Sequence, residues 1–186
     1  MKKTVLTFGL ISGAILSLMM LCTLPFLDRI GFDKGEIIGY TTMVLSFLLV
    51  FFGIRSYRDS VGDGSITFLR AFSVGILITF VASLCYVGTW EVIYFKFMPD
   101  FAEKFAKHAI DQVIASGATK EVIDAKIQEM RDFIVMYNNP LINAAISFLE
   151  PLPVGLIMTL ISAAILRRKA RPNDREEEVG APVLSS

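Results

Sequence analysis

Four apolar runs of membrane-spanning length decide most of what this 186-residue chain can become. They lie at about residues 4–27, 37–54, 70–97 and 141–166. In hydrocarbon a segment must satisfy its own backbone donors and acceptors, so a run this long with so little charge is expected to be a helix. The expected fold class is therefore all-α: an integral membrane protein of four transmembrane helices, with residues 1–169 as one membrane domain. A hydrophobic content of 54% agrees with that class better than with a soluble one. The remaining stretch, 170–186, carries Glu176 to Glu178 without apolar periodicity and is expected to be a disordered cytoplasmic tail.

The first run follows Met1-Lys2-Lys3 and has the flavour of a secretory signal. Its uncharged length is too great for a signal core, and no small-x-small cleavage site follows it. Leu21 is bulky where a lipoprotein site before Cys22 needs a small residue. A retained first span is the better reading. Gly9, Gly13 and Ser17 form a small-xxx-small ridge along it, which predicts close approach by another helix.

One long polar segment, 98–140, separates the third and fourth runs, and it reads as an amphipathic helical hairpin. Pro99 closes the preceding helix, and Asp100 with Glu103 has capping-box spacing. Phe101, Phe105, Ala109 and Val113 then recur every four residues, with Ala102 and Ile110 beside them. Gly117 supplies a stop and Thr119 a second cap. Ile123, Ile127, Met130, Ile134 and Tyr137 follow 4-3-4-3 spacing, a seam of the kind one helix offers another. The candidate interaction surface is accordingly Phe101, Phe105, Ile127 and Met130.

Basic residues in short loops set the expected orientation. Lys2, Lys3, Arg55, Arg58, Arg70 and the cluster from Arg167 to Arg175 share one side, against Arg29 and Lys34 in the short loop opposite. The positive-inside rule then places both termini in the cytoplasm and the hairpin outside. Ser65 is the expected cap of the third helix, and Tyr86, Trp90 and Tyr94 an interfacial aromatic belt at its far end. Cys22 and Cys85 fall inside apolar runs and read as small hydrophobes, and the lone His108 as a solvated residue.

The chain lacks a phosphate-binding glycine loop, a His-Glu-x-x-His helix, paired cysteines and a nucleophile elbow. Asp59 and Asp63 sit on a turn and read as solvated carboxylates rather than metal ligands. The basic rim is explained by anionic headgroups, with no aromatic platform for nucleic acid. No cofactor and no metal are expected. Two acids remain inside the spans, Glu91 and Glu150, and such residues are functional candidates by default. At about 1.5 Å per residue Glu91 lies roughly 30 Å from Arg70 and Glu150 roughly 24 Å from Leu166, so both belong to the outer half. Pro151 and Pro153 should break the fourth helix near Ser147–Leu149 and turn Glu150 inward, with Glu91 as neighbour and Arg29 or Lys96 as cationic partner.

The run Gly64-Ser-Ile-Thr-Phe-Leu-Arg-Ala-Phe-Ser-Val-Gly75, followed by Tyr94-Phe95 and Pro99-Asp100-Phe101, resembles an uncharacterised bacterial family of small four-span inner-membrane proteins, domain of unknown function 4199. The resemblance covers roughly residues 4 to 169. It implies the same topology and location in the bacterial inner membrane, and it brings no catalytic residue with it.

The leading expectation for function is a non-catalytic accessory or interaction protein that presents the hairpin to a protein partner outside the membrane. The alternative is a small transporter or proton-coupled channel using Glu91 and Glu150, oligomeric because four spans enclose little volume. The lipid bilayer is a partner in either case, and a homo-oligomer is compatible with both.

Overall fold

The computed structural model describes residues 1–168, so the tail expected at 170–186 lies outside the described residues. Eight α-helices make up the described chain: α1 (Lys2–Thr23), α2 (Leu27–Ile30), α3 (Phe32–Val61), α4 (Phe68–Lys96), α5 (Phe101–Ala115), α6 (Lys120–Tyr137), α7 (Pro140–Leu149) and α8 (Pro151–Leu166). The stretches Lys2–Ile30, Phe32–Val61, Phe68–Lys96 and Pro140–Leu166 are each long and apolar enough to cross a membrane. They pack as a four-membered bundle in which α1 and α8 each lie against both α3 and α4. Large apolar side chains such as Leu18, Leu45, Leu84 and Ile165 cover its outside, as lipid contact requires.

Helix boundaries differ from the apolar runs in instructive ways. The second helix starts at Phe32 and reaches Val61, well beyond the apolar residues 37–54. The short loop expected around Arg29 and Lys34 is mostly helical, because Gly31 at φ 82° reverses the chain in one residue and α3 begins immediately with Asp33 in its first turn. At the other end Gly62 stops α3, and Asp63 and Gly64 take positive φ in the turn to α4. The expected cap at Ser65 is wrong. Thr67 caps α4 by accepting from the Arg70 N–H at 3.4 Å, while Ser65 Oγ donates to the Gly62 carbonyl at 2.8 Å. Ser65 is still within the turn, one residue pair too early to cap. Ile66 instead exchanges two backbone hydrogen bonds with Arg168, each 2.9 Å, joining the end of α8 to this turn.

Small residues set the closest approaches. A Cβ on Gly9 would stand 2.7 Å from that of Val81, and one on Gly13 2.5 Å from that of Cys85. Ser17 continues the ridge by accepting from Thr89 Oγ1 at 2.7 Å. The predicted ridge is thus the α1–α4 interface. A second one joins α4 to α8 reciprocally: Gly75 faces Thr159, Gly155 faces Thr79, and the two threonine hydroxyls lie 3.4 Å apart. The residues that carry the family resemblance have structural work here, since Ala71 is fully buried and Gly75 makes room for α8.

The hairpin forms as expected, with Gly117 at φ 74° ending α5. It sits on one end of the bundle and packs along its own length, α5 on α6. Neither Asp100 nor Thr119 makes a side-chain cap hydrogen bond. Asp100 pairs with Lys104 at 3.1 Å instead, and the same ammonium reaches Asp28 at 3.2 Å, docking α5 onto the α1–α3 connection.

Candidate functional site

A cavity of about 550 Å³ lies beneath the hairpin, between the upper halves of α1, α3, α4 and α7. Gly35 and Gly39 both line it, one turn apart, and a Cβ placed on Gly39 would meet nothing within 4 Å. Leu16, Met20 and Met43 supply apolar wall, and Phe101, Phe105 and Phe133 form an aromatic roof. This combination of apolar wall and few polar groups, at this size, is typical of small-molecule sites.

Glu150 is the polar centre of the cavity. α7 ends at Leu149 and α8 begins at Pro151, so the expected break is present, and Glu150 occupies it with helical dihedrals of −63° and −52°. Its side chain turns inward, where Tyr86 Oη donates to Oε2 at 2.7 Å. Glu150 lines the cavity and remains exposed. The expected neighbours are not the observed ones. Glu91 does not line the cavity, and its Oε1 is buried without a hydrogen-bond partner among the described residues. Neither Arg29 nor Lys96 is ion-paired with Glu150 among those residues. The reason is angular: Glu91 is one residue past Trp90, which rotates it about 100° from the face that carries Tyr86, Trp90 and Tyr94. The acids that do share the cavity are Asp33 and Glu36, the latter one turn before Tyr40 on α3.

The aromatic belt expected at the membrane interface is an inward-facing cluster. Trp90 is 6% exposed and Tyr94 1%. Trp90 Nε1 donates to Tyr137 Oη at 3.1 Å and to Asn143 Oδ1 at 3.0 Å. Asn143 Nδ2 donates to the Tyr137 carbonyl at 3.1 Å, Ser147 Oγ donates to Asn143 Oδ1 at 3.3 Å, and Tyr94 Oη donates to Asn138 Oδ1 at 2.6 Å. This network locks α4, α6 and α7 together, and Phe101 closes against it edge-on to Trp90 at 4.8 Å. Burial pushes the Tyr137 hydroxyl above its ordinary pKa, which keeps it a neutral acceptor for Trp90.

The four hairpin residues singled out from periodicity separate into two groups. Met130 is buried and Ile127 half-buried. Phe101 and Phe105 face Phe32 with ring centroids at 5.7 and 5.9 Å, and so close the roof. The residues of α5 buried deepest are Ala102 and Ala106. At the cavity rim His108 is no simple solvated residue: it stacks on Phe32 at 5.2 Å and its Nε2 is 3.1 Å from Asp33 Oδ1, which also accepts from Gln112 at 2.9 Å.

Sequence reasoning passed over Glu36, Gly39, Tyr40 and Asn143. The i,i+4 pairs Gly35/Gly39 and Glu36/Tyr40 were a readable signal, since both pairs stack on one side of a helix. Among the described residues no group of His, Cys, Asp or Glu has the arrangement of a metal site. A family model described as "Protein of unknown function (DUF4199)" matches residues 7–168. No curated protein and no solved structure matches the chain.

Proposed function

The chain belongs to the DUF4199 family of proteins of unknown function, and we propose, from its cavity, that it is a non-enzymatic small-molecule-binding protein of the bacterial inner membrane. Both termini are cytoplasmic in this reading, and the α5–α6 hairpin is an extracytoplasmic lid over the binding cavity. The observation that carries it is the cavity of about 550 Å³ with the Glu150 carboxylate turned into it at a helix break. Acids at that depth are costly unless they face protein, water or a ligand. The reading narrows the transporter alternative to Glu150 alone. It also moves the hairpin's role inward, because Phe101, Phe105 and Met130 have partners within the chain.

Gly39→Phe is the direct test, since Gly39 lines the cavity and a side chain added there starts from open space. Native mass spectrometry of the full chain released from gentle detergent should show a bound small molecule or lipid that Gly39→Phe loses. An identical adduct pattern in the two proteins would remove the cavity as the site.

A further inference from the structure

The charges and rings that line the cavity point to one ligand chemistry. Asp33, Glu36 and Glu150 contribute three carboxylates, and no lysine or arginine lines the space. The single basic side chain, His108, is already engaged with Asp33 at the rim. Glu36 and Glu150 line the space together with Tyr40, Tyr86 and Trp90, and Tyr86 Oη donates to Glu150 Oε2 at 2.7 Å. An anionic ligand would meet like charge there in surroundings of low polarity, and a neutral one would leave the acids uncompensated. An inorganic cation needs several oxygens converging on one point, an arrangement missing among the described residues. A positive centre on an apolar body answers each demand. Carboxylates balance its charge, aromatic faces attract it through their quadrupoles, and the leucine and methionine wall takes the hydrocarbon.

We propose that the cavity beneath the hairpin binds an organic cation of the alkylammonium class, with Glu150 and Glu36 as counter-charges and Tyr40, Tyr86 and Trp90 as the aromatic surround. The proposal rests on the small-molecule reading above and adds the sign of the charge. Two sources offer this chemistry: a free hydrophobic amine, and the ammonium headgroup of a phospholipid whose chains fill the apolar part.

Tetraphenylphosphonium and tetraphenylborate have nearly the same shape and opposite charge, so together they isolate charge from fit. Binding of each to the full chain is measured by equilibrium dialysis in dodecyl maltoside, corrected for protein-free micelles. Tetraphenylphosphonium should bind and tetraphenylborate should not. Glu150→Gln keeps an oxygen to accept from Tyr86 and removes the charge, so it should weaken phosphonium binding by about tenfold or more, and Glu36→Gln should act in the same direction. Matching thermal midpoints for wild type and Glu150→Gln establish that the loss is not unfolding. Gly39→Phe should abolish binding. Phosphatidylethanolamine retained over phosphatidylglycerol by wild type, and lost in Glu150→Gln, identifies the lipid headgroup as the source; phosphonium binding without that selectivity identifies a free cation. Equal binding of both probes, blocked by Gly39→Phe, would overturn the cation while leaving the cavity reading intact. Failure of both probes to bind would also overturn the cation, and if the wild type carried no adduct it would overturn the cavity as well.

Discussion

Single residues at the junction between spans and hairpin carry more of this structure than their chemistry alone suggests. Trp90 is held by two acceptors from two different helices, so Trp90→Phe leaves Tyr137 Oη without its donor and Asn143 Oδ1 with Ser147 Oγ alone inside a buried network. The expected cost is about 1–3 kcal/mol, read as a lower thermal midpoint in detergent, with Asn143→Leu falling in the same range. Tyr86→Phe should cost less, because Glu150 then faces open cavity space where water can solvate it. The residue types were legible in the sequence, as was the inward turn of Glu150 from its two following prolines. Residue neighbours were not. Trp90 was assigned to the lipid interface on type and depth, whereas its 4-4 spacing with Tyr86 and Tyr94 only says that the three share a face. Which element covers that face is a tertiary fact, decided by Tyr137 and Asn143 from 47 and 53 positions further along the chain.

Helix pairs are where the glycines matter. Gly155→Val must push α8 away from Thr79 or distort it, with an expected cost of about 1–3 kcal/mol in thermal unfolding. Gly88→Ala meets nothing within 4 Å on the same α4 and should be neutral or stabilising by up to about 1 kcal/mol, a control for the general effect of removing a glycine. In the hairpin, Met130→Asp should destabilise more than Ile127→Asp, because only Met130 is fully buried; limited proteolysis of 98–140 ranks the two. Apolar spacing revealed the seam of α6 well, and on α5 it found Phe105, which packs on Phe133 of α6 at 5.6 Å, although Ala102 and Ala106 are the α5 residues buried deepest. Docking of α5 has a pH dependence of known sign. Hydrogen bonds from the Lys104 ammonium to the Asp100 and Asp28 carboxylates raise its pKa above the ordinary 10.5. A raised pKa in the folded state gives a contribution that is complete below 10.5 and disappears as pH climbs past the folded value. Hydrogen exchange of α5 should therefore quicken selectively in strong alkali, and Lys104→Met should show that quickening already at neutral pH.

The molecule as a whole has two ends of different character. Orientation is tested by single cysteines in a chain with Cys22 and Cys85 replaced by alanine: Ala118→Cys should react with an impermeant thiol reagent once the outer envelope is permeable, and Ser60→Cys only after the inner membrane is opened. The reverse order would invert the topology. Four helices long and apolar enough to cross a membrane, and their order, were legible because hydropathy reports apolar length directly, while the cavity was not, because its lining comes together from helices far apart in sequence. At the Ser60 end, the paired backbone bonds between Ile66 and Arg168 tie the start of α4 to the finish of α8. At the other end α5 is fastened to α2 and α3 by rings packed on Phe32 and by surface pairs from Lys104 and His108, the pairs being individually weak. A clasp at one pole and a latch at the other make the bundle mechanically one-sided. Whatever enters or leaves the chamber should do so past the latch, while the clasped pole keeps the four helices in register throughout.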